Sequence, residues 1–282
     1  DARAQDYRLF RIGTGGPGGI YFALGGTLAD ALSSPPGTRP CRIEEGGCGI
    51  AGMVAVAQST AGSVANVEGL LKGSIESAFV QSDVAAAAFA ARGAFVGRDP
   101  ATRLRLIASL YPEALHLVAL PEAGIATVPD LRGKRVALDE PGSGTLVDAR
   151  LVLEAFGLMD GDLLPFYVKH GPAVVMLRQG ELDAMFVVGG EPMPAVQEAI
   201  AALGAVIVPI DGPEVAALLR RERFFTTLTI QPQTYGLPDP VATIAVTAQW
   251  LVTDSIPDEL GFGLARVLFD PETLTRLAER HP

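Results

Sequence analysis

Histidine is scarce in this chain: His116, His170 and His281 are the full set. None has cysteine, histidine or carboxylate neighbours at metal-ligand spacing, so the sequence offers no metal centre. Cysteine is scarcer, with only Cys41 and Cys48. Their spacing matches no zinc or redox motif. In an exported protein they would close a small loop around Glu44 and Glu45; in a cytosolic one they would be small hydrophobes. No Gly-x-Ser-x-Gly elbow surrounds Ser143, which argues against a serine nucleophile. Gly142–Thr145 lacks the lysine of a P-loop. Positive charge is short as well: 22 Lys and Arg stand against 32 Asp and Glu, a net charge of −10. No basic stripe exists to neutralise phosphates, which argues against a nucleic-acid partner. The longest apolar run, Val84 to Ala91, stops at Arg92, well short of the ~18 residues of a membrane span.

What is present is core material. Hydrophobic residues make up 49% and charged residues 19% of 282 positions, enough for about two folded domains. Glycine is placed with purpose. Val136–Leu138 reads as a strand, Pro141, Gly142 and Gly144 break it, and Leu146, Ala149, Leu153 and Phe156 then fall on one helical face up to Gly157. The turn carries Ser143 and Thr145 at a helix N-terminus, where free backbone N–H groups and the helix dipole favour an anion. An ordinary Ser or Thr cap is the plainer reading.

A second turn has the same design. Leu9–Ile12 reads as a strand, Gly13-Thr14-Gly15-Gly16-Pro17-Gly18-Gly19 follows, and a helix runs from about Ile20 to Leu32. Ser63 is a plausible cap of a helix closed by Gly73, and the strand Ala78–Gln81 ends in polar residues. In open α/β sheets ligands bind at such carboxyl edges, so two facing edges predict a cleft between domains. The rest alternates: extended segments at Arg103–Ser109 and Leu115–Leu120, strands at Arg42–Glu45, Phe166–Lys169, Asp183–Val188 and Ala205–Ile210, a helix opened by Pro192, extended Thr226–Gln233 and Val241–Leu251, and a last helix over about Pro257–Leu268. The fold class is α/β.

Gly13, Gly15 and Gly18 also fit the Gly-x-Gly-x-x-Gly of a dinucleotide fold, which would make the chain an NAD(P)-dependent oxidoreductase. The acid expected about 20 residues on is displaced to Glu44 and Glu45, and Pro17 removes an amide donor. A ligand-sensing domain of a signalling receptor is a further alternative; it would need an attached membrane segment. Ala2-Arg3-Ala4 before Gln5 resembles the tail of a leader cleavage site, which predicts export.

Ile12–Tyr21, Gly62-Ser63-Val64-Ala65-Asn66, Val80-Gln81-Ser82-Asp83, Asp130–Val136, Gly142–Thr145, Gly180–Ala184 and Gly190-Glu191-Pro192 together resemble, in order, the motifs of TAXI-type solute receptors of TRAP transporters. The resemblance implies a periplasmic protein of two doubly wound α/β domains joined by crossing strands, hinging shut on its solute. We place residues 1–118 with 240–282 in domain 1 and 119–239 in domain 2. It further implies a small carboxylate ligand such as glutamate or 2-oxoglutarate, delivery to TRAP membrane subunits, no catalysis, no cofactor, no metal and a monomer. The ligand residues carried over are Thr14, Gly15, Gly16, Tyr21, Ser63, Asn66, Gln81, Ser143, Gly144, Thr145 and Gly190. Cys41 and Cys48 would form a disulfide, which is not a feature of the whole family.

Overall fold

Residues 7–35 and 48–280 are described in this computed structural model. The N-terminal half contains β1 (Arg8–Gly13), α1 (Ile20–Leu32), β2 (Ser33–Ser34), β3 (Ile50–Ala51), β4 (Met53–Gln58), α2 (Ser63–Lys72), β5 (Ser77–Gln81) and α3 (Ser82–Phe89). A long strand, β6 (Leu104–Ala119), leads out of it. The C-terminal half follows with β7 (Arg135–Ala137), α4 (Gly144–Ala155), β8 (Leu164–Phe166), α5 (His170–Arg178), β9 (Ala184–Gly189), α6 (Pro194–Leu203), β10 (Val206–Val208), α7 (Pro213–Arg221), β11 (Thr226–Ile230) and α8 (Pro232–Tyr235). A second long strand, β12 (Val241–Thr253), returns to the first half, where α9 (Asp258–Leu268) and α10 (Pro271–Arg280) end the described chain.

The main sheet runs in the order β4-β1-β5-β12-β6-β9-β7-β8. Its wings are parallel: β1 pairs with β4 and β5, and β7 with β8 and β9. Its middle is antiparallel, where β12 lies against β5 and β6. Each parallel wing therefore carries helix starts at its carboxyl edge, and the crossing pair ties the wings together. The cores divide accordingly. Phe10, Ile12, Leu28, Phe79 and Trp250 pack under α1 and α9. Leu117, Val136, Val152 and Phe186 pack under α4.

Several expectations shift. Arg103–Ser109 and Leu115–Leu120 are parts of one strand, β6, which runs through Pro112. Proline has no N–H for a ladder and needs an edge or an irregularity. Here Pro112 sits opposite Thr247, beside a register shift in β12. The strand expected at Phe166–Lys169 lies earlier, as β8, and Lys169 caps α5 instead. Pro165 is tolerated because β8 is an edge strand. The helix start expected at Pro192 falls at Pro194. Ser63 is the first residue of α2 rather than its cap, and Gly62 takes the cap position. The strand expected at Arg42–Glu45 and the Cys41–Cys48 pairing lie outside the described residues, apart from Cys48.

Candidate functional site

The carboxyl edges of the two wings face each other across a cavity of ≈ 70 Å³. From the first half come Gly15 and Gly16 after β1, Ala61–Ser63 after β4, and Gln81 at the end of β5. From the second half come Asp139 and Ser143–Thr145 after β7, Lys169 and His170 beyond β8, and Val188 and Gly189 at the end of β9. Tyr21 and Glu113 close the floor. So Gly15, Gly16, Tyr21, Ser63, Gln81, Ser143, Gly144 and Thr145 converge on one space. Thr14 and Asn66 stand behind the wall, and Gly190 is one residue beyond the lining.

The wall of the first half is built by Asn66. Its amide donates to the carbonyls of Thr14 and Phe79, both at 2.7 Å. Its carbonyl accepts from the Thr60 hydroxyl at 2.7 Å. Thr14 is likewise committed: its N–H and its hydroxyl both donate to the Gln58 carbonyl. These bonds hold the turn so that Gly15 and Gly16 offer backbone to the cavity while their carbonyls accept from Thr60 and Gly19. Asn66→Ala would remove a donor from two carbonyls, leaving that of Thr14 to the Thr60 hydroxyl alone and that of Phe79 without its side-chain partner. We expect it to lower stability by about 2–3 kcal/mol, read as a shift in the urea midpoint at constant slope.

The wall of the second half is the α4 start. The Ser143 hydroxyl accepts from the Leu146 N–H at 3.1 Å, so the plain cap reading holds. The Thr145 hydroxyl accepts from the Val188 N–H at 3.3 Å. A hydroxyl that accepts one bond still has its proton to donate: Thr145 also bonds the Asp139 carboxyl, and Ser143 can donate to a solute. Beside it lie the first helical N–H groups, which have no intrahelical acceptor. Across the cavity mouth the halves touch directly. The Ala65 N–H donates to the Gly142 carbonyl at 3.0 Å, and the Lys169 ammonium donates to the Thr60 carbonyl at 3.3 Å.

Acid residues in this cleft were missed by sequence reasoning. Glu113 is 3% exposed and accepts from the Tyr21 hydroxyl at 2.6 Å. Burial pushes its carboxyl up to about 8. Asp139 is held at φ 68°, a left-handed conformation that aspartate tolerates better than most residues. It caps its own turn through the Glu140 N–H, and burial lifts it to about 6. Lys169 is paired with Glu140 at 3.0 Å. His170 is depressed by burial, with Lys169 adding to the effect. In the sequence Glu113 follows Pro112 in the gap between the two expected extended segments, so no local pattern marks it. Asp139 follows β7 directly, and the polar strand end was the available signal.

The dinucleotide reading finds no acid where it needs one. The strands on either side of β1 are β4 and β5, which end in Gln58 and Gln81. A Cβ at Gly13 would lie 2.7 Å from the Asn66 side-chain oxygen, so that glycine serves side-chain packing.

Comparison with known proteins gives one family and one fold. The sequence profile of the NMT1-like family matches residues 12–282. Among solved structures, the chain is similar to the malate-bound MatC of Rhodopseudomonas palustris, with TM-score 0.58, 14% identity, and 97% of this chain and 88% of that one covered. It is also similar to an ancestral arginine-binding protein bound to arginine, with TM-score 0.55, 13% identity, and 97% and 96% covered. The alkanesulfonate-binding protein SsuA of Xanthomonas axonopodis pv. citri, bound to MOPS, matches with TM-score 0.51, 16% identity, and 96% and 78% covered. These likenesses establish the two-domain fold of periplasmic binding proteins. Among the described residues, no helix is long and apolar enough to cross a membrane.

Proposed function

Because this chain belongs to the NMT1-like family, we propose that it is a periplasmic solute-binding protein whose cleft closes on a small carboxylate. The carboxylate is met by backbone N–H groups: the α4 start at Gly144 and Thr145 on one side, Gly15 and Gly16 on the other, with Lys169 as the nearest cation. A single helix start contributes ~0.3–1 kcal/mol, up to ~2 when partly buried. A micromolar complex needs about 8 kcal/mol. Several donors must therefore act together in a space that excludes water.

The observation that selects among carboxylates is the acid pair in the same cleft. Glu113 and Asp139 line it together with the amide turns. A dicarboxylate with no ammonium, such as 2-oxoglutarate, would face two acids against one paired lysine. An α-amino acid brings its own ammonium, which would neutralise Glu113 and draw off the proton that burial keeps there. We therefore favour an amino acid, glutamate being one of the solutes that the TAXI resemblance implies. Delivery to TRAP membrane subunits, a monomeric state and a Cys41–Cys48 disulfide rest on that resemblance. The domain division at 118/119 and 239/240 is likewise a proposal; the cores change over between Ala108 and Leu115 on β6 and between Val246 and Ala248 on β12, nearer the middle of the crossing strands.

A thermal-shift comparison tests the choice of solute. Binding to the folded protein alone raises the melting temperature by linkage, equivalent to about 2.7 kcal/mol at a hundred times Kd. Glutamate should raise it by several degrees, whereas 2-oxoglutarate, which lacks the ammonium, should not. A larger shift with 2-oxoglutarate would reverse the assignment. No shift with either would remove the carboxylate reading.

A further inference from the structure

Behind the cleft, two buried carboxyls meet across the halves. Asp83 stands in the first turn of α3 and Asp148 in the second turn of α4. Asp148 is 0% exposed and Asp83 8%. The two carboxyls are close enough to hydrogen-bond each other. The Gln81 amide, also from the first half, donates to Asp148 Oδ2 at 3.0 Å. Asp83 Oδ1 and Asp148 Oδ1 have no hydrogen-bond partner.

The groups that act on the pair most strongly do not neutralise it. Asp148 faces Asp83 on α3, Glu113 on β6 and the neutral Gln81 on β5. Asp83 faces Asp148 on α4 and Glu222 at the end of α7, with the N–H groups of Val84 and of Asp83 itself as backbone donors. Two adjacent carboxylates in a dry interface cannot both ionise. With one proton between them, one carboxyl donates to the other and the contact becomes attractive.

We infer that closing the cleft takes up one proton, held between Asp83 and Asp148, so that solute capture is linked to pH. The step is a protonation alone: solvent supplies H⁺, an O–H bond forms on one carboxylate, and the other accepts its hydrogen bond. When the halves part, each carboxyl meets water and the proton leaves. This rests on the cleft-closing reading above, but not on the identity of the solute.

The direction follows from linkage. Burial raises both carboxyls above their open, solvated value near ~3.9. A raised pKa favours the closed form fully below the open value, and the advantage is lost as pH rises toward the closed value. One proton corresponds to a tenfold fall in the closed-to-open ratio per pH unit within that window.

The test uses the ligand-free protein first. Small-angle scattering from pH 4.5 to 8.5 should show the radius of gyration growing with pH. Asp148→Asn and Asp83→Asn, which keep shape and hydrogen-bonding capacity, should each flatten that profile. Glu113→Gln should remove only the part of the profile near the value of about 8 to which burial lifts Glu113 and leave the lower part carried by the aspartates, which separates the pair from the cleft acid. Urea midpoints confirm that each variant is folded, and either aspartate variant alone suffices. Calorimetry with glutamate in phosphate and in Tris should then differ in apparent enthalpy, and the proton uptake should fall by about one in Asp148→Asn relative to the parent. A pH-independent radius in the parent, or a pH response that persists unchanged in both aspartate variants, would overturn the inference. A pH-dependent radius without glutamate binding would leave it standing and remove the solute assignment instead.

Discussion

Gly144→Val should bind the solute at least ~100-fold more weakly than the parent, about 2.7 kcal/mol, with a melting temperature within a few degrees of it. The cause is the closeness of the halves. A Cβ at Gly144 would lie 1.4 Å from Gln81 Oε1, 2.4 Å from Gln81 Cδ and 3.0 Å from Ser63 Oγ. Gln81 cannot swing away freely, because its amide holds Asp148 and its backbone N–H donates to Ser63. A valine therefore props the cleft open and covers the N–H groups of the α4 start. It does not strain the backbone: Gly144 is absent from the glycines at positive φ, whereas Gly142 has φ 97°. The demand at Gly144 is for space alone, so Gly144→Ala should weaken binding less than valine does. Calorimetry on both variants measures the difference; parental affinity in the valine variant would mean that the halves do not close on this turn.

Trp250→Ala should cost about 3–5 kcal/mol of stability, the usual range for truncating a large buried aromatic. Trp250 is 0% exposed. It sits on β12 opposite Phe79 of β5 and Ala108 of β6, where the crossing strand joins the first core. Domains are stable by only about 5–15 kcal/mol, so this one change consumes a large share. Its indole N–H has no partner, so truncation also removes an unsatisfied donor, which favours the lower end of the range. The chain contains a single tryptophan, so the urea midpoint must be followed by far-UV circular dichroism. A loss below 1 kcal/mol would show that the site collapses without leaving a cavity.

The sequence was most readable where chemistry is local. Glycine turns and helical periodicity placed α1 and α4, and Gly73 closes α2 in the left-handed conformation expected of it. The polar strand end at Gln81 and the turn at Ser143–Thr145 were visible for the same reason. It was least readable where meaning depends on distant partners. Glu113 looks like one charge in the break after Pro112; only the fold brings Tyr21 over it. Asp148 looks like the polar face of α4; only the meeting of the halves buries it. Asn66 enters from sequence as a ligand residue that the resemblance implies, but its amide is committed to the protein itself; Ser143 reads as a polar helix start and does cap α4. Pro112 separates two apolar stretches in sequence, and the ladder that carries β6 past it belongs to β12, more than 120 residues away. Long-range pairing of this kind leaves no short-range signal.

If the interdomain cleft holds one small amino acid and leaves it chemically unchanged, as proposed, the solute should travel with the protein. Native mass spectrometry of the protein purified without added solute tests this most directly. The expected result is a single adduct with the mass of an amino acid, released intact on denaturation and absent from Gly144→Val. An adduct with the mass of a nicotinamide dinucleotide, or an amino-acid adduct that persists in Gly144→Val, would contradict it.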